Sequence, residues 1–316
     1  MKKLITVFLF LLQPVFPFNL PTLYFTPNKQ TDKIILSVIE SAESSVYIAG
    51  YSVSWDKLTE IIAKKQGRVD IRVLTDVKTN GIAEDIAKTY DTSGLFHPKF
   101  ITIDGDKVFT GSGNFTDNGL HLHHNHFLFI QDKNIANFFN QQFLVWWEEV
   151  SADIKDNKPK KLKGSSSEIY QDEIYKICFS PGTDGESVII QEISKAKKTI
   201  HFAHYRFTSE EIAKAVVGRK LAGVKVNGIM DASGIEPYSV FYPLSDYSCA
   251  LKRSNLAGFL HDKLFIIDGE TVVTGSYNPT VSAKKNQECI IVIKDRSVAQ
   301  RLLNEWRGLW LFHSLP

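Results

Sequence analysis

Two stretches of the chain carry the same six residue types at the same spacing, H-x-K-x4-D-x6-G-S-x-N. The copies consist of His97, Lys99, Asp104, Gly111, Ser112 and Asn114, and of His261, Lys263, Asp268, Gly275, Ser276 and Asn278. An imidazole can act as nucleophile or proton donor near neutral pH, and a neighbouring ammonium group supplies positive charge for an anion. With a hydroxyl and a carboxamide added, each copy suits a phosphoryl group. Two complete copies favour this interpretation over an ordinary hairpin with a buried His.

A β-hairpin is expected to position each copy. The His and Lys are two residues apart, so on a strand both side chains point to one face. Alternating apolar residues after each Lys predict that strand, and the Asp-Gly steps at 104–105 and 268–269 predict a tight turn. The returning strand would bring the Ser and Asn close to the Lys. The predicted phosphate-binding residues are therefore Ser112, Asn114, Ser276 and Asn278.

The repeat extends well beyond the motifs. Residues 23–52 parallel residues 177–206, and the second half is longer, mostly between Asp231 and His261. Both halves predict alternating strands and helices, which is typical of an α/β fold. We expect two lobes related by a pseudo-twofold axis, each a β-sheet flanked by helices, with the active site at their interface.

The predicted lobes cover residues 19–150 and 171–316. Between them, residues 151–170 are polar and rich in Lys, Ser and Gly, which is typical of a linker. The Lys run of this segment fits a solvated linker better than a nucleic-acid patch.

The N-terminal residues 1–18 have the form of an export signal. Lys2 and Lys3 precede an apolar run at 4–12 that is too short to span a bilayer comfortably. There is no clear cleavage site, so an uncleaved membrane anchor is the alternative, and an apolar strand is a third. We expect a periplasmic or secreted protein.

Composition sets wide bounds. The 316 residues are 43% hydrophobic, which is ample for one large or two medium domains, and the net charge of +2 gives no global basic field. Cys178, Cys249 and Cys289 are odd in number and lack the spacing of a metal knuckle. They are expected to be core residues, although one disulfide is left open.

Two motifs suit the cleavage of a phosphodiester. The phosphorus is attacked on one side while the leaving oxygen on the other side receives a proton, and one His cannot serve both sides. Two related halves can place His97 and His261 on either side, one as nucleophile and one as general acid. The motif Lys and Asn residues would hold the other oxygens. No metal is required, because two Lys supply the charge that a metal would bring.

These motifs resemble the signature of the phospholipase D superfamily, and the resemblance covers nearly the whole chain after its N-terminal segment. It implies a covalent phosphohistidine on one motif His and proton donation by the other, with water or an alcohol resolving the intermediate. It also implies no cofactor and, with both motifs in one chain, a monomer without an obligate protein partner. N-terminal attack is commoner in this family, which favours His97 as nucleophile; the residues alone do not decide.

The resemblance carries over a catalytic set and two orienting residues. The catalytic set is His97, Lys99, Asp104, His261, Lys263 and Asp268. Within it Asp104 and Asp268, in the turns, are expected to support the motif rather than react. An orienting carboxylate is expected downstream of each motif. Glu288 fits that place in the second half, whereas Asn125 stands there in the first, so the two histidines are expected to differ in pKa.

Near Asn125 lies a cluster of four histidines within six residues. They are His121, His123, His124 and His126. A metal site is one interpretation, and a polar loop at the rim of the phosphate site is the favoured one.

The substrate is less clearly indicated. Segment 232–260 carries Tyr238, Phe241, Tyr242, Tyr247, Lys252 and Arg253. These residues could stack on nucleobases, bed into a lipid interface, or form a partly packed lid. We expect an endonuclease-like enzyme acting on nucleic acid, and the alternative is a phospholipase D or phosphatidyltransferase acting on phospholipid. A non-catalytic binding protein is disfavoured, since both motifs are intact.

Overall fold

The computed structural model describes residues 20–156 and 167–313, which form two α/β lobes. The first contains β1 Thr22–Thr26, α1 Lys29–Glu40, β2 Ser45–Gly50, β3 Val53–Ser54, α2 Asp56–Lys65, β4 Asp70–Thr75, β5 Ala87–Thr89, β6 Lys99–Ile103, β7 Lys107–Gly111, β8 Phe115–Thr116, α3 Asp117–His121, β9 Asn125–Gln131 and α4 Lys133–Asp156. The second contains β10 Ile169–Gln171, β11 Tyr175–Ser180, α5 Gly185–Ser194, β12 Thr199–His204, α6 Glu210–Leu221, β13 Lys225–Asp231, α7 Phe241–Asp246, β14 Ala250–Ser254, β15 Lys263–Ile267, β16 Thr271–Gly275, β17 Glu288–Lys294 and α8 Arg296–Phe312.

The two main sheets have the same topology. Their strand orders are β1-β9-β7-β6-β2-β4-β5 and β10-β11-β17-β16-β15-β12-β13-β14. From β1 and β11 onward the strands correspond one to one, and β10 is an added edge strand. Strands β2, β4 and β5 are parallel, as are β12, β13 and β14, while the motif hairpins pair antiparallel. The predicted pair of α/β lobes is confirmed.

The long helices α4 and α8 lie between the two sheets. Their apolar faces share one core with the inner faces of both sheets. Phe179 of β11 crosses to the first lobe, where its ring lies 5.4 Å from that of Trp146 in α4. Helices α1 and α2 cover the outer face of one sheet, and α5 and α6 that of the other. Burial of this shared core holds the lobes together.

Secondary structure extends into both ends of the predicted linker. Helix α4 continues to Asp156, because its apolar face remains buried as far as Val150. Strand β10 begins at Ile169, where it pairs with β11. The predicted export signal at 1–18 lies outside the described residues.

The three cysteines are buried and free. Cys178 and Cys289 pack in different cores, on opposite faces of the second sheet. The disulfide left open by the sequence is therefore not formed. Within residues 20–156 and 167–313, no helix combines the length and apolar character required to cross a membrane.

Candidate active site

The two motif histidines meet at the lobe interface, and each is fixed by the opposite lobe. The His97 N–H donates to the carbonyl oxygen of Gln287 at 2.9 Å, and the His261 N–H donates to that of His124 at 2.8 Å. Both acceptors directly precede a predicted orienting residue. The backbone thus brings each motif His next to the orienting residue of the other lobe.

Two aspartates that were not predicted from the sequence each bind the backbone of the residue that precedes a motif His. Asp76 follows β4 and accepts the N–H of Phe96 at 2.6 Å. Asp231 ends β13 and accepts the N–H of Leu260, also at 2.6 Å. The internal repeat contains the signal, because the two aspartates stand at the carboxyl ends of the equivalent strands β4 and β13.

The predicted orienting residues contact the histidines. Glu288 is fully buried, and its Oε2 lies 2.8 Å from His97 Nδ1. His261 Nδ1 lies 3.0 Å from Asn125 Oδ1 and 3.1 Å from the carbonyl oxygen of Ser112. Only neutral oxygens face His261 Nδ1 in these contacts, whereas His97 has a carboxylate.

Ser112 and Ser276, which were predicted to bind phosphate, hydrogen-bond the orienting residues. Both residues are fully buried. The Ser112 hydroxyl donates to Asn125 Oδ1 at 3.2 Å, and the Ser276 hydroxyl donates to Glu288 Oε2 at 2.5 Å. Both serines therefore position an orienting residue, and their contact with phosphate stays a prediction.

The preceding glycine explains why the serine turns inward. Gly275 has a φ of 126°, and a Cβ there would lie 2.1 Å from the carbonyl oxygen of Cys289. Only glycine permits this close approach of β16 to β17. The chain therefore delivers Ser276 to Glu288 and not to the cleft.

Asp104 and Asp268, the predicted supporting members of the catalytic set, lie far from the motif lysines. Both lie in the hairpin turns, at the far end of five-residue strands from the motif lysines. That distance is roughly 17 Å at ~3.4 Å per residue. The Asp104 carboxylate accepts backbone N–H groups of Ser44 and Ser45 at 2.8 and 3.0 Å. Asp268 makes the equivalent bonds in the second lobe. Each aspartate therefore fixes the chain segment that leads into β2 or β12, as expected of a supporting residue.

A cleft of about 480 Å³ opens between the lobes. Its lining includes Tyr51, Leu95, His97, Asn114, Tyr205, Arg206, Tyr238, His261 and Asn278. The lysines lie buried behind it, where Lys99 Nζ donates to the His97 carbonyl at 2.9 Å and Lys263 Nζ to the His261 carbonyl at 2.6 Å. The structure therefore brings the His, Lys and Asn of both motifs together.

Burial dominates the electrostatics of this site. It lowers the pKa of His97 to about 4, against the opposing effect of Glu288, and lowers the pKa of Lys99 to about 7. Burial and then the neighbouring lysine charges hold the pKa of His261 and of Lys263 well below their usual values. An anion in the cleft would favour the protonated forms again.

The histidine cluster does not form a metal site. His121 faces Asp32 at 3.3 Å, whereas His123 stacks on Phe259 with ring centroids 4.7 Å apart. Among the described residues, no group of three or more His, Cys, Asp or Glu side chains could hold a metal ion. The His123 ring lies 6.2 Å from that of His261, so this His does lie at the rim of the site.

A buried polar chain beside His261 was not predicted. Asp262 Oδ1 lies 2.6 Å from His126 Nδ1, and His126 Nε2 lies 2.5 Å from Thr274 Oγ1. Pro98 and Cys289 occupy the corresponding positions on the other side. The signal was the charged middle residue of His-Asp-Lys, compared with His-Pro-Lys in the first motif.

Segment 232–260 is packed structure for most of its length. Phe241 is buried, and Lys252 Nζ donates to the carbonyl oxygens of Trp310 and His313 at 2.7 and 2.6 Å. These two residues are therefore unavailable to a substrate. Tyr238 is 66% exposed and lines the cleft, so it is available to a substrate.

Known proteins match each lobe and the whole chain. A family model described as "Cardiolipin synthase, PLD-like domain" matches residues 35–147 and 189–310. The phospholipase D of Rickettsia prowazekii (strain Madrid E) is 35% identical over 131 residues, which cover 41% of this chain and 64% of that protein. The mitochondrial cardiolipin hydrolase of Xenopus tropicalis is 31% identical over 140 residues, covering 42% of this chain and 65% of that protein. The chain thus spans slightly less than two thirds of the length of these relatives.

One solved structure resembles both lobes together. The phosphatidylserine synthase of Haemophilus influenzae Rd KW20 superposes with a TM-score of 0.68 over 94% of this chain and 90% of that chain, at 13% identity. At this identity the similarity concerns the fold, and it extends to the pairing of the two lobes.

Proposed function

Because this chain belongs to the phospholipase D superfamily, we propose that it is a metal-independent phosphodiesterase that acts through a covalent phosphohistidine. The observation that carries the proposal is the pair of His97 and His261, which line one cleft. The Nδ1 atom of each ring contacts oxygen atoms of the opposite lobe. Each ring is left with Nε2 as its reacting nitrogen.

We assign His97 as the nucleophile. Its low pKa, caused mainly by burial, leaves the ring neutral at pH 7. Its Nδ1–H donates to Glu288, so Nε2 carries the lone pair that attacks phosphorus. The bond from phosphorus to the leaving oxygen breaks and its electron pair remains on that oxygen. The carboxylate of Glu288 stabilises the positive ring of the phosphohistidine.

His261 then acts as the general acid. Its imidazolium faces a neutral Asn125, so it gives up the Nε2 proton to the leaving oxygen more readily than it would beside a carboxylate. The charge of the bound phosphodiester offsets the two lysines and favours protonation of His261 beforehand. In the second step neutral His261 takes a proton from water, the water oxygen attacks phosphorus, and the bond to His97 breaks.

The remaining motif residues stabilise charge. Lys99 and Lys263 place two ammonium groups behind the cleft, and Asn114 and Asn278 line it. Preorganised charges in a buried site stabilise the extra negative charge of the transition state. A metal ion is not required for this role.

We propose nucleic acid as the substrate class. Tyr51, Tyr205 and Tyr238 line the cleft together with Arg206, and tyrosines near a cation suit nucleobases. Phospholipid is the second candidate. It is favoured by relatives named phospholipase D and cardiolipin hydrolase and by the apolar Leu95, which lines the cleft and is 41% exposed.

Turnover of labelled single-stranded DNA, RNA and phosphatidylcholine vesicles, measured in parallel with EDTA, tests both parts. Cleavage of the nucleic acids alone would support the first substrate class, and release of choline alone would support the second. Trapping the intermediate should place the label on His97. Complete dependence on added metal would contradict the mechanism.

Two further proposals concern the whole protein. Both motifs lie in one chain, so we propose that a monomer is active, which sedimentation of the active protein would test. We also propose export through residues 1–18, which fractionation of cells and the N-terminal sequence of the mature protein would test.

A further inference from the structure

Four aromatic rings form a closed circuit on the His261 side of the cleft. The His261 ring lies 5.2 Å from Tyr205 and 6.2 Å from His123. Phe259 completes the circuit, with its ring 5.1 Å from Tyr205 and 4.7 Å from His123. Phe259 is 40% exposed, so this wall borders solvent at the cleft mouth.

The His97 side has the same backbone plan without this wall. Tyr51 corresponds to Tyr205 and lies 5.8 Å from the His97 ring. Leu95 stands where Phe259 stands in the other half, and it is equally exposed at 41%. The cleft therefore has one side with an extended stack of rings and one side with a single tyrosine.

Packing alone does not require the difference. The Leu95 N–H donates to Asn286 Oδ1 at 2.9 Å, and the Phe259 N–H donates to His123 Nδ1 at 3.0 Å. Asn286 and His123 are thus equivalent acceptors for the same backbone group. The Asn286 amide accepts this N–H in one half without any ring. The His123 and Phe259 rings in the other half therefore add an aromatic surface that the hydrogen bond does not require.

We propose that Tyr205, Phe259 and His123 form a leaving-group subsite that prefers a flat ring, such as a nucleobase. The inference rests on the proposed function, in which His261 protonates the leaving oxygen. The leaving group must then extend along the His261 side, past these rings. Stacking on aromatic side chains selects planar groups over saturated ones of the same size.

The incoming molecule of the second step uses the same subsite. When an alcohol replaces water, its oxygen attacks phosphorus, its proton passes to His261 Nε2, and the electron pair of the broken nitrogen–phosphorus bond returns to His97. The alcohol then occupies the place that the leaving group vacated. Competition between two alcohols for one intermediate therefore reports on the subsite alone.

The test uses bis(p-nitrophenyl) phosphate with equal concentrations of benzyl alcohol and cyclohexylmethanol, and it measures the ratio of the two product esters. The wild type should form the benzyl ester in excess by roughly fivefold or more, as stacking implies. Phe259→Leu, which introduces the residue found at position 95, should bring the ratio close to one. Leu95→Phe is the matched control on the other side and should leave the ratio unchanged.

The outcomes separate this proposal from the mechanism. Equal amounts of both esters from the wild type, or an aromatic preference that survives Phe259→Leu, would overturn the subsite while leaving the phosphodiesterase intact. A stronger aromatic preference in Leu95→Phe would place the leaving group on the His97 side and would also overturn it. No release of p-nitrophenol by the wild type would contradict the proposed function itself.

Discussion

The two lobes orient their histidines with different chemistry on the same backbone. Glu288 is surrounded by donors, since the His97 ring, the Ser276 hydroxyl and the Asn286 amide all contact its carboxylate. The NH₂ of Asn125 instead faces the carbonyl oxygens of Gly119 and His123 at 3.0 and 3.3 Å. One position is built for a carboxylate and the other for an amide.

This difference supports the separate roles proposed for the two histidines. A carboxylate opposite His97 suits a ring that must carry positive charge through a covalent intermediate. A neutral amide opposite His261 suits a ring that must give its proton away. In the proposed mechanism, the two halves of the chain thus have separate roles on the same fold.

Replacing each motif His by Ala should give the largest effects and should distinguish the roles of the two rings. Because p-nitrophenolate leaves without protonation, His261→Ala should release about one equivalent of p-nitrophenol from bis(p-nitrophenyl) phosphate in a burst and then stall. His97→Ala should give no burst. Both variants should lose on the order of 10²–10⁴ in steady-state rate on unactivated diesters. A burst in His97→Ala, measured by stopped flow, would reverse the assignment.

Glu288→Gln should cost about 10²-fold in kcat, because the positive phosphohistidine loses its carboxylate. Glu288 also raises the pKa of His97. The pH at which kcat/KM rises should therefore move lower in the variant. The measurement is the pH profile of kcat/KM for both proteins, and an unchanged rising limb would show that Glu288 does not act through His97.

The pH profile of the wild type should be bell-shaped and acidic. kcat/KM should rise by about tenfold per unit up to about pH 4, where His97 becomes neutral. It should fall at or below about pH 7, where Lys99 loses its charge, with the lowered pKa of His261 acting in the same direction. A profile that still rises above neutral pH would contradict this account of the site.

Asn125→Asp tests whether the amide is required. The new carboxylate would face the carbonyl oxygens of Gly119 and His123, so the free energy of unfolding should fall by about 1–3 kcal/mol. Any active fraction should show its falling pH limb at higher pH, since a nearby negative charge raises the pKa of His261. Denaturant titration measures the first effect, and a variant as stable as the wild type would show that the packing around Asn125 does not select an amide.

Asp104→Asn should have the smallest effect on catalysis. The side chain fixes the turn between α1 and β2, so loss of its charge should lower stability by about 1–2 kcal/mol. At a temperature where the protein remains folded, kcat should stay within about twofold of the wild type. A loss comparable to that of Glu288→Gln would return Asp104 to the catalytic set.

Local patterns were sufficient to predict the motif hairpins and their turns. Alternation of apolar residues reports the strand face directly, and Asp-Gly reports the turn. The repeat also identified Glu288 and Asn125 as equivalent, because it aligns β9 with β17. These features depend on residues close in sequence, which is why one chain suffices to find them.

The sequence did not predict which residues of one lobe contact the other lobe. Nothing in the spacing indicates that Glu288 serves His97, which lies in the other half. The contacts of the serines with the orienting residues were not predicted for a related reason, since the close approach of β16 to β17 at Gly275 is a tertiary feature. The three interpretations of segment 232–260 stayed open because composition does not distinguish a buried Phe241 from an exposed Tyr238.

The exchange of orienting residues between lobes has a consequence for how the protein should lose activity on heating. Each imidazole depends on hydrogen bonds from the other lobe. A small slip of one sheet against the other would release both rings at once, although every strand would still be paired within its own sheet. Inactivation should therefore precede the loss of circular dichroism, and the two histidines should fail together. The rate of turnover should therefore report how well the two lobes are aligned.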